Sequence, residues 1–304
     1  MTAELPLVIF TIMAQMSVGS FVVLGVIQLV GYRVDPKLMD RITDPALYAI
    51  GPILVLGMAA SLLHLGSPLR AVNSLRHLGG SWLSREIAFG ILFAVLGAAF
   101  AGVQWRKMLT PRLRQVLAGT TAVVGLGLVY VISRVYTLRT VPSTDTWHTA
   151  VSFYATTFLL GSLAVGAALV IASRVRVRRG VEDEEAQALI VRAVRGIAIG
   201  SIVVLGVIVV ALPTFLGSLA INDSPAAAES LETLVVTYGG LSILQLVLIF
   251  AAVAVLAVFL VQLSRGKIDH RGLAVVVVTA FALAFSGELI GRMLFYASMV
   301  RIGM

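Results

Sequence analysis

Six ionisable side chains fall inside or at the edge of otherwise apolar runs: His64, Arg85, Glu86, Arg134, Glu288 and Arg292. At the centre of a bilayer such a group costs at least about 2.5 kcal/mol on insertion scales, so each needs a partner or a function. The most specific surroundings belong to His64. The stretch His64-Leu65-Gly66-Ser67-Pro68-Leu69-Arg70-Ala71-Val72-Asn73 sets a titratable ring at a helix end, then a Gly-Ser-Pro turn, then a cation and an amide on the return. A re-entrant turn of this kind can line a cavity. Haem b would require paired histidines at membrane depth, and of His64, His77, His148 and His270 only His64 lies clearly in an apolar run. A quinol site asks for less. It needs a base at each ring oxygen to take a proton as each electron leaves, and an apolar slot for ring and tail. His64, Glu86 and Glu288 can act as those bases, with Arg70 or Arg134 tuning their proton affinity.

Each residue also has a plainer reading. Glu288 and Arg292 stand four apart on one helix face, the spacing of an ion pair. Arg85 and Arg134 can snorkel to an interface, and a histidine at a helix end can simply bond its own terminus or a loop.

Eight apolar runs must position these groups: Leu5 to Val30, Pro45 to Leu65, Trp82 to Trp105, Gln115 to Leu138, Thr149 to Ala172, Gly196 to Ile221, Val235 to Leu263 and Gly272 to Val300. A span needs roughly 20 mostly apolar residues as a helix, and membrane β-strands are about half that length. The chain of 304 residues is 59% hydrophobic and 12% charged, which excludes a soluble globular fold. The expected class is an all-α membrane protein of eight transmembrane helices, residues 1–304 forming a single integral membrane domain. The first run opens at Glu4 without a basic leader or a small-residue cleavage site, so it is expected to stay as a helix.

The net charge of +8 reports topology rather than nucleic acid, because the basic residues sit in short connections. The connections after the first, third, fifth and seventh runs hold 16 of the 23 Lys and Arg residues, which places both termini outside. The arginines from Arg174 to Arg179 read as part of a solvated loop, with an anionic-lipid patch as the alternative. With those orientations all six membrane ionisables fall in the outer half and define one outward-facing pocket. With no cysteine the protein alone holds no iron-sulfur cluster, and no metal site is expected. A faint repeat pairs Phe10 and Gly19-Ser20 with Phe153 and Gly161-Ser162, and His64-Leu65-Gly66-Ser67 with Phe215-Leu216-Gly217-Ser218. This suggests halves 1–145 and 146–304, four helices duplicated to eight.

The stretch Leu62 to Leu75, with Leu83-Ser84-Arg85-Glu86-Ile87, Arg134-Val135-Tyr136, Gly287-Glu288-Leu289-Ile290-Gly291-Arg292 and Phe295-Tyr296, closely resembles the membrane anchor subunit of dimethyl sulfoxide reductase. The resemblance spans essentially the whole sequence, and departs most between Arg174 and Arg195. It implies a metal-free anchor in the bacterial or archaeal cytoplasmic membrane that oxidises menaquinol during anaerobic respiration. Electrons would pass to an iron-sulfur partner subunit and on to a molybdenum-cofactor catalytic subunit, where the terminal reduction occurs. By position, His64 matches the family's quinol-site histidine and Glu86 an acid at the start of the third helix; these two are the expected proton acceptors. The quinol site is extended by inference to Arg70, Asn73, Arg134, Tyr136, Glu288 and Arg292. The rival readings are a secondary transporter or channel, which would set polar groups near the midplane, and an assembly anchor without bound quinol.

Overall fold

The computed structural model describes residues 4–64, 77–180, 183–266 and 270–303, and every regular element among them is helical. The helices are α1 (Leu5–Val30), α2 (Pro36–His64), α3 (Trp82–Trp105), α4 (Pro111–Tyr136), α5 (Trp147–Arg178), α6 (Glu184–Ala220), the short α7 (Pro225–Glu232), α8 (Gly239–Ser264) and α9 (His270–Ala297), with a π-helical turn at Thr233–Thr237. Seven of them, α1, α3, α4, α5, α6, α8 and α9, are long and apolar enough to cross a bilayer. Only α-helices satisfy their own backbone in lipid, which is why such runs fold this way.

The sequence places α1 and α3 to the residue and misjudges others at their polar ends. Helix α2 begins at Pro36 rather than Pro45, and α6 at Glu184 rather than Gly196. In both, the helix continues past the hydrocarbon into charged residues. At the start of α6 the Asp183 carboxylate accepts from Ala186 N–H at 2.9 Å, and Glu184 and Glu185 occupy the first turn. Acids there complement the positive helix terminus. Ser81 and Ser224 cap α3 and α7 in the same way, and Pro225 occupies the first position of α7. Helix α7 lies in the connection before the seventh apolar run, where the hydropathy pattern reads as a loop, and the π turn continues from its end into the start of that run.

Helices α1 and α5 form the enclosed centre. They cross at Gly19 and Gly161, where a Cβ on either glycine would land in the other helix's backbone. Ser20 Oγ donates to Gly161 O across the crossing at 3.3 Å. Without a hydrophobic drive between helices in lipid, such close backbone approach is a main source of packing energy. Among the packed pairs, α1 lies on α2 and α5 on α6, α3 on α4 and α8 on α9, α1 on α4 and α5 on α9. Phe21 of α1 meets Phe93 and Phe100 of α3 edge-on, with centroids 6.2 and 5.4 Å apart.

Alternate connections gather at opposite ends. At one end Lys107 binds Asp40 (2.8 Å) and Asp44 (3.0 Å) of α2, Arg114 bonds Gln104, and Arg41 pairs with Asp183. At the other, Ile302 N–H donates to Thr140 O at 2.8 Å, and the Ser143 and Ser230 hydroxyls both donate to Ser298 O.

Candidate functional site

The membrane ionisables concentrate at the end away from the basic connections, because α3 starts there and α4 and α9 finish there. Glu288 and Arg292 lie on one face of α9 with 8% and 4% of their surface exposed. They are not in direct ion-pair contact. Each instead reaches Thr156 of α5: its Oγ1 donates to Glu288 Oε2 at 2.7 Å and accepts from Arg292 Nη2 at 3.4 Å. The simple i, i+4 pair suggested by the spacing is thus opened by a third side chain from another helix. Arg292 also donates to Gln15 Oε1 of α1 at 3.1 Å, so one guanidinium joins α1, α5 and α9. Its carbon lies 3.8 Å from the centroid of the Phe153 ring and 5.4 Å from that of Phe295. A cation desolvated over aromatic faces is held by the ring quadrupoles as well as by its acceptors.

Tyr136, at the last turn of α4, joins Phe153, Phe295 and Tyr296 in one aromatic cluster, its ring 5.3 Å from that of Tyr296. Glu86, one turn into α3 and 7% exposed, is within electrostatic reach of the Tyr136 and Tyr296 phenols. Its carboxylate makes no hydrogen bond among the described residues. Tyr296 Oη sits beside the Tyr136 and Thr11 hydroxyls without meeting either in hydrogen-bond geometry, and Gln15 Nε2 is likewise buried and unpartnered. Native interiors leave few polar atoms unsatisfied, and those that remain ask for a water, an ion or a ligand.

Arg134 takes a different place. Its guanidinium carbon lies 5.3 Å from the Trp82 ring centroid, the same indole over which Arg85 stacks at 4.4 Å, and its Nε is buried without a partner. Arg85 is tied to the connection before α3 through the carbonyls of Leu78 (2.8 Å) and Gly79 (2.7 Å). The two arginines therefore clamp a tryptophan at the start of α3, just before Glu86. His64 is the last residue of α2, placed here by its backbone alone, while Arg70 and Asn73 lie outside the described residues. Of the expected site, Glu86, Tyr136, Glu288 and Arg292 come together and Arg134 stands to one side.

A cavity of about 300 Å³ lies between α5, α6, α8 and α9, with Glu288 and Arg292 on its wall beside His148, Ser152 and Gln245. His148, read from sequence as lying outside the apolar runs, is the second residue of α5 and stacks on Phe215 with centroids 4.3 Å apart and planes at 11°. Phe215 is the residue that the expected repeat pairs with His64. Sequence reasoning also missed Gln15, Thr156 and Tyr296 as members of the cluster. The only signal of Gln15 and Thr156 is an uncharged polar group in an apolar helix, which is too common to single them out, while Tyr296 stands in a motif of the family resemblance without being assigned to the site.

An all-helical membrane bundle with a buried polar cluster near one end is the class of protein that the fold and this site define. The protein belongs to the DMSO reductase anchor subunit (DmsC) family, which it matches over residues 1–298. The segment from Arg174 to Arg195, where the resemblance is weakest, lies inside that match. The sequence is similar to the C subunit of anaerobic dimethyl sulfoxide reductase from Escherichia coli (strain K12), 32% identical over 306 residues, spanning 99% of this protein and 96% of that one. It is 30% identical over 307 residues to the YnfH subunit of an anaerobic dimethyl sulfoxide reductase of the same strain, with the same coverage. Against the C subunit of the Haemophilus influenzae enzyme the identity is 29% over 301 residues. Among solved structures the bd oxidase from Geobacillus thermodenitrificans shares the fold, with a TM-score of 0.70 at 11% identity, spanning 98% of this protein and 85% of the matched one. The protein is a multi-pass membrane anchor subunit of a DMSO reductase complex.

Proposed function

We propose that this anchor oxidises menaquinol in the half of the bundle that holds Glu86, Tyr136 and Arg292, and delivers the electrons to an iron-sulfur subunit of the complex. The observation that carries the reading is a polar cluster, buried in an apolar bundle, in which the Tyr296 hydroxyl and Gln15 Nε2 have no hydrogen-bond partner and the Glu86 carboxylate has none among the described residues. A quinol offers two hydroxyl groups to donate and, once oxidised, two carbonyl oxygens to accept, so it can use acids and donors of this kind in turn. Oxidation removes two protons and two electrons from the ring. His64 and Glu86 are assigned as the proton acceptors, and Arg70, Asn73, Arg134, Tyr136, Glu288 and Arg292 as the groups that orient the ring and balance charge. Arg292 suits a fixed role, since Gln15, Thr156 and two aromatic faces immobilise it.

In this reading the eight long helices all span, both termini face outside the cytoplasmic membrane, and the protons are released on that side. The electrons travel singly to the iron-sulfur partner and then to a molybdenum-cofactor subunit that carries out the terminal reduction. Apolar helix surface around the cluster would take the quinol's tail, and the site needs no haem, no metal and no cluster of its own.

The test replaces Glu86 by Gln, which keeps shape and removes the proton-accepting carboxylate. In the intact membrane complex, oxidation of a menaquinol analogue should fall by about a hundredfold, the scale of one general base. Reduction of substrate by an artificial donor feeding the partner subunits should not change. Equal loss with both donors would mean damaged assembly, and unchanged quinol oxidation would remove Glu86 from the site.

A further inference from the structure

A groove of about 600 Å³ runs along the bundle at the basic end, between the last turns of α1, one face of α6 and Phe158 and Ser162 of α5. Its wall on α6 carries a stripe, Arg192, Gly196, Gly200 and Val204, each four residues from the next, beside the row Leu189, Ala193 and Ile197. A Cβ added at Gly196 or Gly200 would meet nothing within 4 Å. A glycine pair at this spacing normally lets another helix approach closely, yet among the described residues none comes within 4 Å of where their Cβ atoms would stand. The α1 wall is Val22, Val23, Val26, Ile27 and Val30, of which Val26 and Val30 are exposed, with Arg33 just past the helix end.

The polar end of the groove is cationic. Arg33 and Arg192 are among its lining residues, no acid is, and neither arginine joins an ion pair among the described residues. Arg33 commits its Nε–H to Tyr32 Oη at 2.6 Å and lies over that ring, which leaves its terminal NH groups free to point elsewhere. From Arg192 to Val204 the stripe is about 18 Å long at 1.5 Å per residue. One leaflet of hydrocarbon is about 15 Å thick. The groove therefore has the length of one leaflet, an apolar wall, and two guanidinium groups at headgroup depth.

We propose that this groove is a binding site for an anionic phospholipid, with an acyl tail along the Gly196–Gly200 stripe and the phosphate held between Arg33 and Arg192. Guanidinium groups bind phosphate oxygens in a bidentate fork, so two of them favour a headgroup of net negative charge over a zwitterion. The site is distinct from the polar cluster, which lies toward the opposite end of the helices, and it holds whether or not that cluster oxidises quinol.

The complex is purified in detergent from membranes containing phosphatidylglycerol, exchanged through several detergent washes, and its retained lipid is extracted and quantified. The unaltered complex should retain phosphatidylglycerol in a fixed ratio to the anchor, and not phosphatidylethanolamine. The double variant Arg33→Gln, Arg192→Gln should bind it about thirtyfold more weakly, two arginines' worth of interaction with an anionic surface. Gly200→Leu, which fills the groove without touching charge, should also lose it, while Arg112→Gln, removing a comparable exposed cation on α4, should not. Retention unaffected by the double variant would overturn the proposal. So would recovery of an isoprenoid quinone in place of the phospholipid, or crosslinking of Gly200→Cys, in a protein with no other cysteine, to a helix of a partner subunit.

Discussion

Replacing Thr156 by Val removes one buried oxygen and nearly nothing else. That oxygen donates to Glu288 at 2.7 Å, accepts from Arg292 at 3.4 Å, and also lies 2.9 Å from Ser152 O, a carbonyl of its own helix. A hydroxyl has a single proton, so it serves Glu288 or Ser152 but not both at once, unless Glu288 itself carries a proton and donates back. The Ser152 contact is dispensable, since helix carbonyls already accept backbone bonds. At 3.4 Å the Arg292 contact is long and adds little. What remains is one short bond to a carboxyl group, worth about 1.5–3 kcal/mol in water-soluble proteins and at most about 1.7 in a membrane bundle, so about 1.5 kcal/mol is the expected loss. Thr156→Ser keeps the oxygen and loses a methyl, about 0.8 kcal/mol. At about 2–4 °C per kcal/mol for a protein of this size, Val should lower the melting midpoint by about 5 °C and Ser by about 2 °C. The assay is thermal unfolding of the purified complex in one detergent, with menaquinol-analogue oxidation measured on the same samples. A Val variant as stable and as active as the Ser variant would refute the claim that Thr156 organises Glu288 and Arg292.

Other outcomes follow from the same contacts. Gly161→Leu would drive a side chain into the backbone of α1 at Gly19, and overpacking of this kind costs about 1–3 kcal/mol or more; the variant should give little monodisperse complex, whereas Gly217→Leu, with open space at its Cβ, should behave as the unaltered protein. Burial acts to lower the affinity of Lys107 for its proton, but hydrogen bonds and attraction from Asp40 and Asp44 outweigh it and hold the pKa above the ordinary lysine value. Stability from this contact is complete below that ordinary value and is lost as pH rises through the higher folded one. Lys107→Met should therefore flatten the alkaline decline of the melting midpoint, and an unchanged decline would assign it to other groups.

The spans were legible because lipid demands long apolar helices, and the limits of α1 and α3 follow directly from where that demand ends. The limits of α2 and α6 do not. Asp40, Asp44, Glu184 and Glu185 look like loop residues in a hydropathy reading, but they sit on helices that project beyond the hydrocarbon, where Lys107 and the α6 terminus offset their charge. Within the site the ionisable residues stand out by the cost of burying them. Their partners do not. Gln15 and Thr156 become visible only when the crossing of α1 and α5 at Gly19 and Gly161 sets them opposite α9. The spacing of Glu288 and Arg292 was readable, yet the hydroxyl between them belongs to a residue 132 positions earlier in the sequence. The positions of His148 and Phe215 carry the same lesson, since their stacking is a tertiary contact with no local signature.

The most direct test of the quinol assignment is oxidation of a menaquinol analogue by the membrane-bound complex, comparing the unaltered protein with His64→Ala and measuring how much of each partner subunit stays attached. Loss of quinol oxidation, with full attachment and full activity from an artificial donor, is the predicted result. Undiminished quinol oxidation by His64→Ala would leave a DMSO reductase anchor whose quinol site lies somewhere else.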